Sequence, residues 1–347
     1  MGLTVSIVKE VGDFRLNVEL EAGRAPLCLL GAPGSGRTMA LRCIAGLLRP
    51  DRGRITLDSE VLYDSEQGVF LSPQARRTGY LPRSRSLFPG MTVRQNIAAA
   101  VKPGVNRTRI VEEKLHFCHL EEAANKRPRQ LTESERLRTA VARMLASDPS
   151  LILLDEPLAG LEAAARFQLE LELSELLSDF DGPFIWATGD QGVAYRNCRY
   201  VSVLDCGRAQ SIITTSSLVA FPGTEEAARL SGCGNFADAI PRENAVYLPQ
   251  WGVTLRCAYP LPPFLWRVGV RARHVRLSNP GMVNAFAVEV ERVVEDVFSM
   301  VVLLRPVGAV PEAPLLQMEV DKGDWQSVPD KRRLTVSVSP QDILLLK

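Results

Sequence analysis

No apolar run in the sequence reaches the roughly 18 to 20 residues that a helix needs to cross a bilayer. Even Met300-Val-Val-Leu-Leu304 is closed by Arg305, so a spanning helix is excluded. Charge of either sign is not in excess: 41 Lys and Arg stand against 40 Asp and Glu, a formal net charge of +1. The chain as a whole therefore exerts no bulk attraction on nucleic acid or an anionic membrane, and polyanion binding would need a local patch. The group Arg76, Arg77, Arg83 and Arg85 has only Tyr80 interleaved, so it lacks the stacking aromatics of a nucleic-acid surface. It reads as a solvated rim or a contact with a protein partner. Residues 1–10 hold no basic segment ahead of a long apolar core and no small-residue cleavage site, so the expectation is a cytosolic protein. The seven cysteines (28, 43, 118, 198, 206, 233 and 257) are scattered and odd in number, which predicts buried thiols rather than disulfides. His116-x-Cys118-His119 has ligand chemistry, but no second group completes four ligands, and the segment reads as helix surface.

What is present is a globular composition, 46% hydrophobic and 23% charged over 347 residues, enough for one large domain and a smaller one. Up to about residue 215, short apolar runs at 26–31, 151–155, 183–188 and 200–204 alternate with helical stretches. Continuous apolar runs between helices predict strands covered on both faces, as in a parallel α/β sheet. Ala163–Leu177, rich in Ala, Leu and Glu without Gly or Pro, predicts a helix. From about Gly232 the pattern becomes short alternating segments (253–257, 268–272, 285–290, 334–338) separated by breaks such as Pro260-Leu-Pro-Pro263. These predict a small all-β barrel or sandwich. The expected division is an α/β domain over 1–230 and a β domain over 233–347.

Gly31-Ala32-Pro33-Gly34-Ser35-Gly36-Arg37-Thr38 lies between an apolar strand and the apolar-rich stretch Met39–Ala45. Strand, glycine-rich loop and helix form the context of a phosphate loop: Gly34 and Gly36 let backbone N–H groups point inward, and the helix N-terminus adds partial positive charge. Thr38 would hold Mg²⁺ through its hydroxyl. The run Leu151-Ile-Leu-Leu-Asp155-Glu156-Pro157 ends a buried strand with two adjacent carboxylates, an unfavourable place for charge unless a cation or water is held there. Asp155 is placed to contact Mg²⁺ and Glu156 to orient or deprotonate an attacking water.

The loop at 31–38, then Leu87-Phe-Pro-Gly-Met-Thr-Val93, Leu131-Thr-Glu-Ser-Glu135 leading into Arg138–Arg143, the Asp155-Glu156 strand and Leu158-Ala-Gly-Leu161, taken in that order, resemble the ATP-binding subunit of an ABC transporter. Residues 1 to about 230 resemble its nucleotide-binding domain, and the β-rich tail resembles the appended regulatory domain of molybdate, tungstate and sulfate importers. The resemblance implies a P-loop NTPase fold with a C-terminal all-β domain, and ATP and Mg²⁺ as cofactors. It also implies a homodimer closing head-to-tail on two ATP molecules, membrane permease subunits as partners at the inner face of the cell membrane, and only indirect dealings with an external binding protein. It assigns Glu156 to catalysis, Thr38 and Asp155 to the metal, residues 31–38 to the phosphates, and Phe14 to the adenine.

Four family positions hold something else. Arg37 stands for the phosphate-loop Lys, with a planar fork larger than an ammonium. Arg83 stands for the Gln that senses the γ-phosphate. In the signature segment Glu133 brings a Cβ and a negative charge where the family has glycine, so repulsion of ATP is expected. Gly189 replaces the switch His. The implied function is the energising ATPase of an oxyanion importer, or else an impaired nucleotide- or oxyanion-binding subunit that hydrolyses little or no ATP.

Overall fold

The computed structural model describes residues 2–347; Met1, within the first expected domain, lies outside the described residues. The chain forms two compact units, one running to Thr215 and one over Ser216–Lys347.

The strands of the first unit are β1 (Leu3–Val11), β2 (Phe14–Ala22), β3 (Leu27–Leu30), β4 (Arg52–Leu57), β5 (Glu60–Asp64), β6 (Val69–Phe70), β7 (Thr78–Leu81), β8 (Leu151–Asp155), β9 (Phe184–Thr188) and β10 (Tyr200–Asp205), with two-residue strands at Arg208–Ala209 and Ile213–Thr214. Five of them run parallel in the order β10-β3-β9-β8-β7. Every residue of β3, β8 and β9 is buried, as continuous apolar runs require when both faces are covered. An antiparallel layer, β6-β5-β4-β1-β2, carries alternating side chains such as Leu3, Val5 and Ile7 into the same core. Six helices accompany the strands: α1 (Arg37–Ile44), α2 (Val93–Ala98), α3 (Arg107–Phe117), α4 (Glu133–Ala146), α5 (Ala163–Leu176) and α6 (Gln191–Asn197). Helices α2, α3 and α4 share a separate core built on Val93, Ile97, Val111, Leu115 and Ala142.

Three burial assignments made from the sequence are corrected. Arg76 is not on a solvated rim: it is 1% exposed and donates to the carbonyls of Leu71 (3.0 Å), Cys43 (2.9 Å) and Ile44 (2.7 Å). The last two are C-terminal carbonyls of α1, which a guanidinium satisfies and whose partial negative charge it complements. Burial pushes its pKa down to about 10. Arg76→Ala should lower the unfolding free energy by on the order of 3 kcal/mol, because three acceptors lose their donor at once. Urea titration reads this, and a loss under about 1 kcal/mol would make the contacts incidental. Among the cysteines, Cys206 is exposed in the turn after β10, at φ 44. Cys257 is half-buried and the other five are buried; burial pushes the thiols of Cys43 and Cys118 up to about 12, which keeps them unreactive. Cys118 lies at the C-cap of α3 and points into the helical core rather than onto the helix surface.

The second unit holds three antiparallel sheets of three, three and five strands around one core that includes Trp251, Val268, Val302, Leu316 and Trp325. The strand expected over 285–290 continues to Glu295. A bulge between Val290 and Arg292 shifts the register, so the alternation that marks a strand in sequence breaks there while the pairing goes on. The helix Glu225–Leu230 places Ala228 against Cys233, Phe236, Leu344 and Leu346.

Candidate functional site

The loop from Gly31 to Gly36 leaves the C-terminal end of β3, and register places the ends of β8 and β9 beside it: Leu30 pairs with Thr188, and Asp155 with Ala187. The C-terminal ends of parallel strands are where open α/β sheets form ligand crevices. Gly31 N donates to Thr188 O at 3.3 Å, tying the loop to β9. Gly36 is the N-cap of α1 at φ 106, and a Cβ there would lie 2.9 Å from Leu16 Cδ1 and 3.0 Å from Phe14 Cζ. The position is therefore built for glycine, and the Phe14 ring lies beside it. A cleft of about 390 Å³ is lined by Phe14, residues 34–38, Arg42 and Leu48. Ala32 and Pro33, half-buried and exposed, form the outer part of the loop.

Thr38 and Asp155 meet across the site, Thr38 Oγ1 donating to Asp155 Oδ1 at 2.9 Å. Tyr80, at the third position of β7, donates to Asp155 Oδ2 at 2.8 Å. Burial, with the Asp155 charge next to it, raises the Tyr80 phenol well above its usual range, so it remains a donor. This third oxygen had no signal in the sequence beyond an aromatic in an apolar strand.

Arg37 is 8% exposed, and its guanidinium does not stand free in the cleft. One Nη donates to Gly31 O, and the other to Glu156 Oε1 at 2.5 Å. Burial lowers its pKa and the Glu156 carboxylate opposes that shift. Glu156 has left-handed backbone, φ 49, held by its own N–H donating to Ala187 O at 2.9 Å; such strain of order 1 to 3 kcal/mol in a non-glycine residue persists only where surrounding structure fixes it. Gly189 lies next to this pair. A Cβ at 189 would come 3.0 Å from Arg37 Nη1 and 3.3 Å from Gly31 O.

The other departures have local roles. Thr132 caps α4 and Glu135 completes a capping box, Glu135 N donating to Thr132 Oγ1 at 3.1 Å and Thr132 N to Glu135 Oε2 at 2.8 Å. Glu133 does not present a bare charge: Arg85 Nη2 and Arg136 Nη1 lie 3.4 and 3.6 Å from its carboxylate. The repulsion expected from the sequence is thus reduced by two cations of the same chain. Ser134 Oγ donates to Glu172 at 2.6 Å. Asp190 caps α6 through Gly192 N (2.8 Å) and Val193 N (3.2 Å). Arg83 is exposed.

The donor set fits the groups that the resemblance implies. A hydroxyl and a carboxylate facing each other are hard oxygen ligands suited to Mg²⁺, and the buried Ser35 Oγ in the loop has no hydrogen-bond partner among the described residues.

A profile of the family described as ABC transporter matches residues 14–159. The molybdenum import ATP-binding protein ModC of Paramagnetospirillum magneticum is 33% identical over 64% of this chain and 61% of its own length. ModC of Rhizobium johnstonii is 30% identical over 80% of this chain and 81% of its own. The spermidine/putrescine import ATP-binding protein PotA of Pseudomonas aeruginosa is 34% identical over 67% and 65%. The chain thus spans less than two thirds of the first of these relatives. A dimeric bacterial ABC transporter cassette of known structure superposes with a TM-score of 0.51 at 24% identity, covering 62% of this chain and 99% of that one, a likeness of fold.

Proposed function

Since the chain belongs to the ATP-binding proteins of ABC transporters, we propose that it is the ATP-binding subunit of an importer and that its cargo is an oxyanion of the molybdate type. Mg²⁺–ATP binds in the cleft beside α1, with Phe14 against the adenine, residues 31–38 on the phosphates and Thr38 and Asp155 on the metal. When bound, Mg²⁺ supplies charge neutralisation at the phosphates. Glu156 orients the attacking water, and two copies close on two nucleotides and act on membrane permease subunits at the cytoplasmic face. No helix among the described residues is long and apolar enough to cross a membrane, in keeping with a transport path supplied by another chain. The observation that carries this reading is the meeting of Thr38 and Asp155 at 2.9 Å beside a loop that only glycine fits. The molybdate assignment rests on the ModC relatives; PotA acts on polyamines by its name, so cargo choice belongs mainly to other subunits.

A second reading is favoured by one contact. With Glu156 paired to Arg37, the chain serves as a nucleotide-binding subunit with little hydrolysis. Purified protein titrated with Mg²⁺–ATP and assayed for phosphate release, alone and with its permease, separates the two. Binding without release in either setting supports the second, release with permease the first, and absence of binding sinks both.

A further inference from the structure

The two departures at 37 and 189 are far apart in the chain and adjacent in space. The volume that a side chain at 189 would enter, against Gly31 O, is taken by the Arg37 guanidinium, whose other arm is on Glu156. Each substitution thus makes sense of the other: the fork needs the space that only glycine leaves, and Gly189 offers no side-chain donor, so the guanidinium stands there instead. Both ends of this contact are shielded, Arg37 being 9% and Glu156 24% exposed at the side chain. Removing one partner alone from such a pair leaves an uncompensated charge. We infer that Arg37 is a latch for Glu156: without a γ-phosphoryl group its guanidinium holds the carboxylate, and a nucleotide bearing a γ-phosphoryl group competes for the guanidinium and frees Glu156.

The physical basis is an exchange of one charge-assisted contact for another. A terminal phosphoryl presents up to three oxygens and more charge than a carboxylate, and the guanidinium fork engages either as a bidentate partner. ADP, whose phosphates end one group short, leaves the latch closed. Arg37 is accordingly a positioning residue for Glu156 and the element that tells ATP from ADP. No chemical step is involved. The inference rests on the reading that nucleotide binds at residues 31–38.

The test uses the full chain with Mg²⁺, ADP and a non-hydrolysable ATP analogue. Glu156→Gln removes the charge that holds the fork, and Gly189→Ala puts a Cβ 3.0 Å from Nη1 and displaces it. Each variant should raise the analogue-to-ADP affinity ratio about tenfold, the scale of one charge-assisted hydrogen bond. The double variant should gain no more than either single one, because both open the same latch. In ¹⁵N spectra the Arg37 guanidinium signals, assigned by their loss in Arg37→Lys, should be those of a restrained group in the free and ADP-bound protein. They should shift with the analogue, and Glu156→Gln should shift them in the free protein. A structural role for the pair would lower thermal stability and leave the ratio unchanged. Nucleotide binding with an unchanged ratio, or with additive effects of the two substitutions, overturns the latch and leaves the proposed function standing. No nucleotide binding in the parent or any variant overturns both.

Discussion

The variant carrying Arg37→Lys, Arg83→Gln, Glu133→Gly, Ser134→Gly and Gly189→His together is expected to release phosphate at least a hundredfold faster than the parent chain, since loss of one preorganised donor at a transition state typically costs about 2.7 to 4 kcal/mol. The structure sets the order in which the gain arrives. Gly189→His alone should give none, because its Cβ would sit 3.0 Å from Arg37 Nη1 and 3.3 Å from Gly31 O, and the imidazole and guanidinium would contend for one space. Arg37→Lys comes first: it removes the fork from Gly31 O and from Glu156, and its point charge fits a cradle of backbone donors. Glu133→Gly contributes less than a bare carboxylate would suggest, since Arg85 and Arg136 already offset that charge. The effects should be far from additive, as expected of groups that act as a unit. Glu156→Gln on the repaired background should return the rate to the parent's. A parent chain as fast as the repaired one would mean that the departures are not defects and that other residues do the work.

The sequence was readable wherever one physical constraint acted on contiguous residues. Continuous apolar runs marked β3, β8 and β9, which are buried at every position. The Ala-, Leu- and Glu-rich stretch marked α5, observed at Ala163–Leu176 against an expected end at Leu177, and alternation marked the sheets of the second unit. The likeness to solved cassettes agrees with the P-loop fold so inferred. What linear pattern could not carry was pairing between distant positions. Arg76 looks like one of several surface arginines in a basic stretch; only the fold brings it under the end of α1. Arg37, Glu156 and Gly189 each read as a separate oddity or motif residue, while the parallel register of β3, β8 and β9 brings their loops to one spot. The joint occurrence of a larger cation at 37 and a missing side chain at 189 was the available hint. The neutralisation of Glu133 was similarly hidden, because Arg85 is 48 residues away (133 − 85).

Gly36→Asp should reduce Mg²⁺–ATP and Mg²⁺–ADP affinity by at least a hundredfold. Two effects act together at this position. Backbone at φ 106 is rarely adopted by L residues, and any Cβ meets Leu16 Cδ1 at 2.9 Å and Phe14 Cζ at 3.0 Å, so the loop and the Phe14 wall of the cleft must shift. The carboxylate then adds a negative charge at the N-terminus of α1, where phosphates would sit; two like charges about 4 Å apart at an effective dielectric of about 20 repel by about 4 kcal/mol, well above the roughly 2.7 kcal/mol that a hundredfold requires. Gly36→Ala separates the contributions, since it carries the same Cβ without the charge and should lose less. Circular dichroism guards against global unfolding, a needed control because Leu16 and the α1 residues Ala40, Leu41, Cys43 and Ile44 belong to the main core. Titration with a fluorescent nucleotide reads the result. Unchanged affinity in a folded Gly36→Asp protein would place the nucleotide away from residues 31–38 and leave this loop as a tight strand-to-helix turn.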